Sequence, residues 1–206
     1  MARTTHLRGD TIIEVLFAVT IFSLLAVLSL SIMNKGVSVA QRSLEITLVR
    51  QQIDSQAELI RLAHAAYVKD VDTTEAPGTV WKDIKSRALN SGSLAAINNP
   101  NSCPTSISGS SGFVVTRTAA AAQSIMLTPV SGIPQPAVYS KVDVNRTESA
   151  GNPTQGLWAQ AVRVPSESMA ANVDAYDVYI RACWASVGST QPVTLGTIVR
   201  LYEPQN

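Results

Sequence analysis

An apolar run near the amino terminus constrains this chain more than any other feature. It covers residues 11–33, is 23 residues long and carries one charge, the carboxylate of Glu14. About 20 apolar residues are enough for a helix to cross a hydrocarbon core of about 30 Å. A helix is also the only single-segment structure that satisfies its own backbone hydrogen bonds in lipid. The sequence therefore predicts a membrane-spanning helix with a carboxylate near its start.

The residues before this run predict its orientation. Residues 1–9 are short and polar, and they contain Arg3 and Arg8 but no acid. Positive charge before an apolar span keeps that end in the cytoplasm. A secretory signal would have a shorter apolar core followed by a small-residue cleavage site, whereas here the core is long and Gly9 precedes it. We expect a single-pass protein, and a carboxylate in its span needs either a partner or a position at the interface.

The order of these features resembles the type IV prepilins and the related pseudopilins. The resemblance rests on the basic leader, on Gly9, and on Glu14, which is the fifth residue after that glycine. The segments Glu14-Val15-Leu16 and Ile21-Phe22-Ser23-Leu24-Leu25 look most like minor pilins or pseudopilins.

The resemblance implies a set of partners and a processing step. A membrane-embedded prepilin peptidase would cut between Gly9 and Asp10, and the new amine would pair with Glu14 of a neighbouring pilin subunit. The inner assembly platform and the membrane would be further partners. In the family, the first mature residue is usually a phenylalanine that the peptidase N-methylates, and here Asp10 occupies that position.

A second helical pattern follows Asn34-Lys35-Gly36, where a kink would be tolerated. Apolar residues recur at steps of three to five and predict an amphipathic helix that ends near Lys69. A coiled coil is the alternative, but the step of five between Leu48 and Ile53 argues against it. The predicted apolar stripe contains Val37, Ala40, Leu44, Leu48, Ile53, Ala57, Ile60, Ala63 and Tyr67. The predicted solvated face contains Arg42, Glu45, Arg50, Gln52, Asp54, Glu58 and Arg61, with Glu58 and Arg61 spaced to pair.

The rest of the chain predicts an α+β head. Residues 80–89 fit a short amphipathic helix, and residues 90–112 are rich in Ser, Asn, Gly and Pro and predict a loop. Strand patterns follow, and the last two predict an antiparallel hairpin with a long connecting loop. One antiparallel sheet packed on the helix stripe would bury both apolar faces. The predicted strands cover residues 113–117, 124–127, 157–165, 175–185 and 194–202.

Cys103 and Cys183 are the only cysteines. The inferred topology places both outside the cytoplasm, where disulfides form and persist. A bridge would tie the predicted loop to the sheet, and closing a loop of about 80 residues is worth roughly 4 kcal/mol by loop-closure entropy. Two free thiols are the alternative. Two cysteines without a supporting histidine make a metal site unfavourable, and we expect no cofactor.

The net charge of the chain and its lack of catalytic motifs limit the classes of function that the sequence supports. The net charge is +1, and removal of the two leader arginines would leave 14 basic and 15 acidic residues, which gives no strong nucleic-acid signal. The chain has neither a Gly-x-Ser-x-Gly nucleophile motif nor a phosphate-binding glycine pattern. His64 stands alone on the predicted helix and is expected to pack or to lie at the surface rather than to act as a general base. We therefore do not expect an enzyme.

The combined prediction divides the chain into four segments. These are a leader (1–9), a membrane and assembly half-helix (10–36), an amphipathic half-helix (37–69) and a globular head (70–206). The expected protein is a structural subunit of a type IV pilus-like filament, first in the cell membrane and then in an extracellular pilus or pseudopilus. The alternatives are a membrane-anchored adhesin or ligand-binding module, or a minor pseudopilin of a type II secretion or DNA-uptake apparatus.

Overall fold

The computed structural model describes residues 10–69, 77–90, 102–107, 111–118, 124–133, 139–143, 154–164 and 173–204. They confirm the predicted α+β fold, in which a long amino-terminal helix packs against an antiparallel sheet. Two compact units are separated between Ser43 and Leu44. The elements are α1 (Asp10–Lys69), α2 (Gly78–Ser86), β1 (Leu89–Asn90), β2 (Phe113–Arg117), β3 (Ile125–Pro129), β4 (Lys141–Val142), β5 (Thr154–Gln155), β6 (Leu157–Val164), β7 (Val173–Trp184) and β8 (Val193–Pro204).

The main sheet has the strand order β3-β2-β6-β7-β8, and all neighbours in this order are antiparallel. Strands β7 and β8 form the predicted hairpin and pair continuously from Val173↔Pro204 to Trp184↔Val193. Strand β7 begins two residues earlier than predicted and β8 ends two residues later, because Val173 and Asp174 pair with Pro204 and Glu203. A separate two-stranded ladder joins β4 and β5.

The sheet divides along β6, and this division was not predicted. Strand β2 pairs with the first half of β6 at Phe113↔Ala159, and β1 runs parallel to its second half. The prediction that residues 80–89 form one helix is wrong at its end, since α2 ends at Ser86 and Leu89 belongs to β1. The end of α2 is tightened by N–H groups of Arg87 and Ala88, which donate to carbonyls three residues earlier at 3.1 Å. The chain then enters the gap beside β6 in extended form.

Within the second unit, the buried face of α1 runs along the sheet. Val49, Ile60 and Ala63 have no exposed surface, and Ile53 and Ala57 are 3% exposed. Their spacing of three and four residues is that of a single helix face. This part of α1 therefore supplies one wall of the head's hydrophobic core.

The predicted stripe needs four corrections at its amino-terminal end. Val37, Ala40 and Leu44 are exposed rather than buried, and Leu48 is only half-buried. Glu45 was placed on the solvated face but is 6% exposed. The true face runs through Glu45, Val49 and Ile53 in steps of four, so the apparent step of five came from following apolar residues only. The helix is also continuous through Gly36, although the sequence would have allowed a kink there.

Candidate functional site

The first residues of α1 carry the features that the sequence analysis singled out. Gly9, with the rest of residues 1–9, lies outside the described residues. Asp10 is the first residue of α1, and Glu14 lies one turn further along with an exposed side chain. The inferred cleavage position and the role of Glu14 therefore stay predictions, and the structure places the Glu14 carboxylate on the exposed surface of the helix.

The following turns of α1 expose an apolar surface on every side. Apolar side chains are 44% exposed at Ile21 and up to 73% exposed at Phe22. Soluble monomers rarely expose contiguous apolar patches beyond a few hundred Å². Among the described residues, α1 is the helix whose length and composition suit a membrane crossing, and it is a candidate anchor. The exposed set is Ile12, Ile13, Val15, Leu16, Phe17, Val19, Ile21, Phe22, Leu24, Leu25, Val27, Leu28, Leu30, Ile32 and Met33.

Hydroxyl groups within this surface bond to the helix itself. Thr20 Oγ1 donates to the carbonyl of Phe17 at 2.8 Å, and Ser23 Oγ donates to the carbonyl of Val19 at 2.8 Å. Such local bonds let a hydroxyl enter an apolar environment without an unsatisfied donor. Glu14 has no comparable arrangement, because a carboxylate cannot donate to a carbonyl. It is the group on this surface that needs a partner.

In the second unit, Glu45 fastens α1 to the carboxyl end of β7. Its Oε2 accepts hydrogen bonds from Trp184 Nε1 at 3.1 Å and from Ser186 Oγ at 2.5 Å. Trp184 is completely buried. A buried carboxylate is stable only when its oxygens are hydrogen-bonded, so these donors explain why an acid lies on the packed face.

Gln56 connects α1 to β2 in a similar way, through hydrogen bonds from its side chain. Its Nε2 donates to the carbonyl of Val115, and its Oε1 accepts from the Val115 N–H, both at 2.8 Å. Val115 lies two residues beyond the Phe113↔Ala159 pair, where β2 and β6 separate. The amide side chain thereby substitutes for a neighbouring strand and satisfies both backbone groups. Gln52, predicted to be solvated, is half-buried and accepts from the Val142 N–H at 3.3 Å.

A polar cluster lies where the end of β8 meets α1 and α2. Lys85 Nζ pairs with Glu203 Oε2 at 2.6 Å and donates to the Tyr67 hydroxyl at 3.2 Å. The indole N–H of the buried Trp81 donates to the other oxygen of Glu203. Burial lowers the pKa of Lys85, but the hydrogen bonds to Glu203 and Tyr67 outweigh it and raise this pKa overall. The cluster closes one end of the core with satisfied polar groups.

His64 packs beside this cluster. Its ring meets the Trp81 ring edge-on with 4.9 Å between centroids. Burial lowers the pKa of His64, and this effect outweighs the opposing attraction of Glu203 and the backbone of Tyr202. The neutral ring is therefore favoured near neutral pH. Of the two positions expected for this histidine, packed or at the surface, the structure shows the packed one.

Cys103 and Cys183 form a disulfide, as expected from the sequence. Both are buried, with 5% and 0% exposure. The segment that contains Cys103 is held further by Ile107 N–H to the Ser131 carbonyl and by Ile133 N–H to the Thr105 carbonyl, both 3.1 Å. The bond therefore ties a loop segment to β7. Among the residues that the structure describes, no three His, Cys, Asp or Glu side chains are grouped to hold a metal ion.

No family model, curated protein or solved structure matches this chain. The geometry alone divides the candidate residues into two groups. Glu14 and the exposed apolar surface have no complement among the described residues of the first unit, whereas Glu45, Gln56 and Glu203 are satisfied within the second. Sequence reasoning missed Glu45 and Gln56, although both fall at helical spacing with Val49, Ile53 and Ile60.

Proposed function

We propose that this chain is a structural subunit of a type IV pilus-like surface filament. It would enter the membrane as a single-pass precursor, be cut after Gly9 by a prepilin peptidase, and assemble through its amino-terminal helix. The observation that carries this proposal is the apolar surface of residues 12–33, exposed on all sides and charged only at Glu14. The same helix continues into the core of a folded head.

The exposed surface suits two successive environments. In the precursor it would lie in lipid, and in the filament it would pack against the same surface of other subunits. Both are apolar, so transfer between them costs little hydrophobic free energy, and close packing between helices favours the assembled form. The inner assembly platform would be the place of transfer.

Glu14 would make this association specific. Cleavage after Gly9 would create an amine at Asp10, four residues before Glu14 in the chain. Two opposite charges attract far more strongly in a medium of low dielectric constant than in water. A lone charge there is unfavourable until it is paired. Pairing of Glu14 with the amine of a neighbouring subunit would therefore fix the axial register of the helices.

The mature amino terminus provides the primary test. Mass spectrometry of the surface-exposed protein should find Asp10 as its first residue. An intact Met1 would contradict the filament proposal and would instead support a membrane-anchored adhesin or ligand-binding module.

The role of Glu14 needs a second experiment. Glu14→Ala should leave cleavage after Gly9 intact but reduce the subunit at least tenfold in filaments sheared from cells. Glu58→Ala is the matched control, because Glu58 is an exposed helix glutamate that pairs with Arg61 at 2.5 Å. Normal incorporation of Glu14→Ala would overturn the pairing of Glu14 while leaving the cleavage result to decide the family.

A further inference from the structure

The charges in the first part of α1 do not balance. In the mature chain proposed above, the first residue, Asp10, would carry both the new amine and a side-chain carboxylate. Glu14 adds a second carboxylate, and its side chain is exposed. The sequence of residues 10–34 contains no other charged residue. Two negative charges therefore accompany one positive charge, which gives this segment a formal charge of −1.

The next cation on the same helix lies too far away to restore the balance. It is Lys35, which follows Glu14 by 21 residues, or about 30 Å at a rise of about 1.5 Å per residue. The helix dipole is equivalent to about half a positive charge at the amino terminus, so it offsets only part of the excess. The side chains of residues 12–33 are apolar and exposed. In lipid or among other helices, little water would therefore screen the remaining charge.

We propose that Asp10 prevents this chain from pairing with a second copy of itself through Glu14. The neighbour at Glu14 would be a different pilin-like subunit, whose first mature residue has an amine but no carboxylate. This inference rests on the filament proposal and names the partner of Glu14 within it. The chain would accordingly be a minor component of the filament, and two copies would not be adjacent along this contact.

A contact between two copies would contain an excess negative charge. Glu14 of one copy would approach the amine of the other, and the Asp10 carboxylate would accompany that amine because both groups belong to one residue. Like charges repel strongly in a medium of low dielectric constant. Carboxylates ordinarily ionise near pH 4, so neutralising one of them with a proton at neutral pH also costs free energy. The contact between two copies is therefore disfavoured by one charge.

A contact with a subunit whose first residue is uncharged would be balanced. Glu14 would then meet one amine and no second acid, so the two charges would form a neutral pair. Apolar packing along residues 12–33 would be available to either kind of partner and would not distinguish between them. Specificity would come from a repulsive group that acts against the wrong partner, which is a general way to select among similar partners.

Association of the mature, full-length chain in lipid vesicles tests the proposal. The protein is processed by a prepilin peptidase, mass spectrometry establishes its first residue, and energy transfer between differently labelled copies measures association. Asp10→Asn removes the carboxylate with little change in size, and this variant serves as the probe for a partner with an uncharged first residue. Asp10→Glu is the matched control, because it keeps the charge.

We expect the unaltered chain to associate with Asp10→Asn at least tenfold more tightly than with itself, and to show no such gain with Asp10→Glu. The gain should depend on Glu14 of the unaltered chain. Glu14→Gln in that chain should abolish the gain, whereas Glu14→Gln added to the Asp10→Asn partner should leave it in place. A missing gain, an equal gain with Asp10→Glu, or a gain that survives Glu14→Gln in the first chain would overturn the inference.

Failure of this inference and failure of the filament proposal give different results. If Asp10 is the first residue of the processed protein and the gain is missing, the partner named for Glu14 is wrong while the filament proposal stands. If Met1 is still the first residue, the filament proposal is overturned, and this inference with it.

Discussion

Residues 12–33 and residues 45–67 lie on one helix, but the two segments differ in whether their apolar side chains are exposed or buried. In the first segment, large apolar side chains are exposed on every side, and the hydroxyls of Thr20 and Ser23 bond to their own helix. In the second, one face is buried and polar side chains bond to distant strands through Glu45 and Gln56. The second segment finds its complement in its own chain. The first needs a complement from outside, whether lipid or other helices.

Truncation of one isoleucine in each segment should give the largest difference. Ile60 is completely buried, so Ile60→Ala should lower the free energy of unfolding of the head by about 2–5 kcal/mol. Ile21 is 44% exposed, and Ile21→Ala should change it by less than about 0.5 kcal/mol. Urea unfolding followed by tryptophan fluorescence measures both. Equal losses would contradict the distinction between the two segments.

A charge introduced into each segment should separate them by membrane attachment. An arginine at the centre of a membrane helix costs about 2.5–3.5 kcal/mol in insertion. Leu24→Arg should therefore shift the protein out of the membrane fraction. Leu62→Arg, at a residue that is 49% exposed in the second segment, should leave fractionation unchanged. Full retention of Leu24→Arg in membranes after carbonate washing would count against residues 12–33 as an anchor.

Loss of the hydrogen bonds between Gln56 and β2 should lower the free energy of unfolding by an intermediate amount. Gln56→Ala removes the partner of both backbone groups of Val115, and an unsatisfied buried group costs about 1–3 kcal/mol. Gln51→Ala, at an exposed position on the same helix, is the control and should be nearly neutral. Amide hydrogen exchange should also show faster exchange at Val115 in the Gln56 variant. Unchanged protection there would mean that another group holds β2.

The smallest expected effect is a change in how the stability of the head depends on pH. Burial holds the pKa of His64 below its usual 6.5, so the unfolded chain takes up a proton near that pH which the folded chain does not. Stability from this group is therefore complete above about pH 6.5 and declines as the pH falls below it. His64→Gln should reduce the drop in Tm between pH 7.5 and pH 5.5 by at most about 4 °C. An unaltered drop would assign the pH dependence to other groups.

The sequence predicted the elements better than their contacts. The bounds of β2 and the end of α1 at Lys69 were predicted correctly, because a run of aromatic and β-branched residues marks β2 and helical spacing marks α1. The burial of Glu45 was missed, because its environment depends on Trp184 and Ser186, about 140 residues away. The pairing of β1 with β6 was missed for the same reason, since a two-residue strand has no period of its own. Contacts between residues that are far apart in the sequence determine the burial and strand pairing that local sequence patterns do not specify.

The disulfide has a consequence for how the protein can be degraded. Cys103 and Cys183 are 80 residues apart, and β2 to β6 lie between them. A protease that cuts the chain once anywhere in this interval produces two pieces that remain covalently joined. The nicked protein would run as one band on a non-reducing gel and as two after reduction. A single break between Cys103 and Cys183 would therefore leave α1 covalently joined to β8.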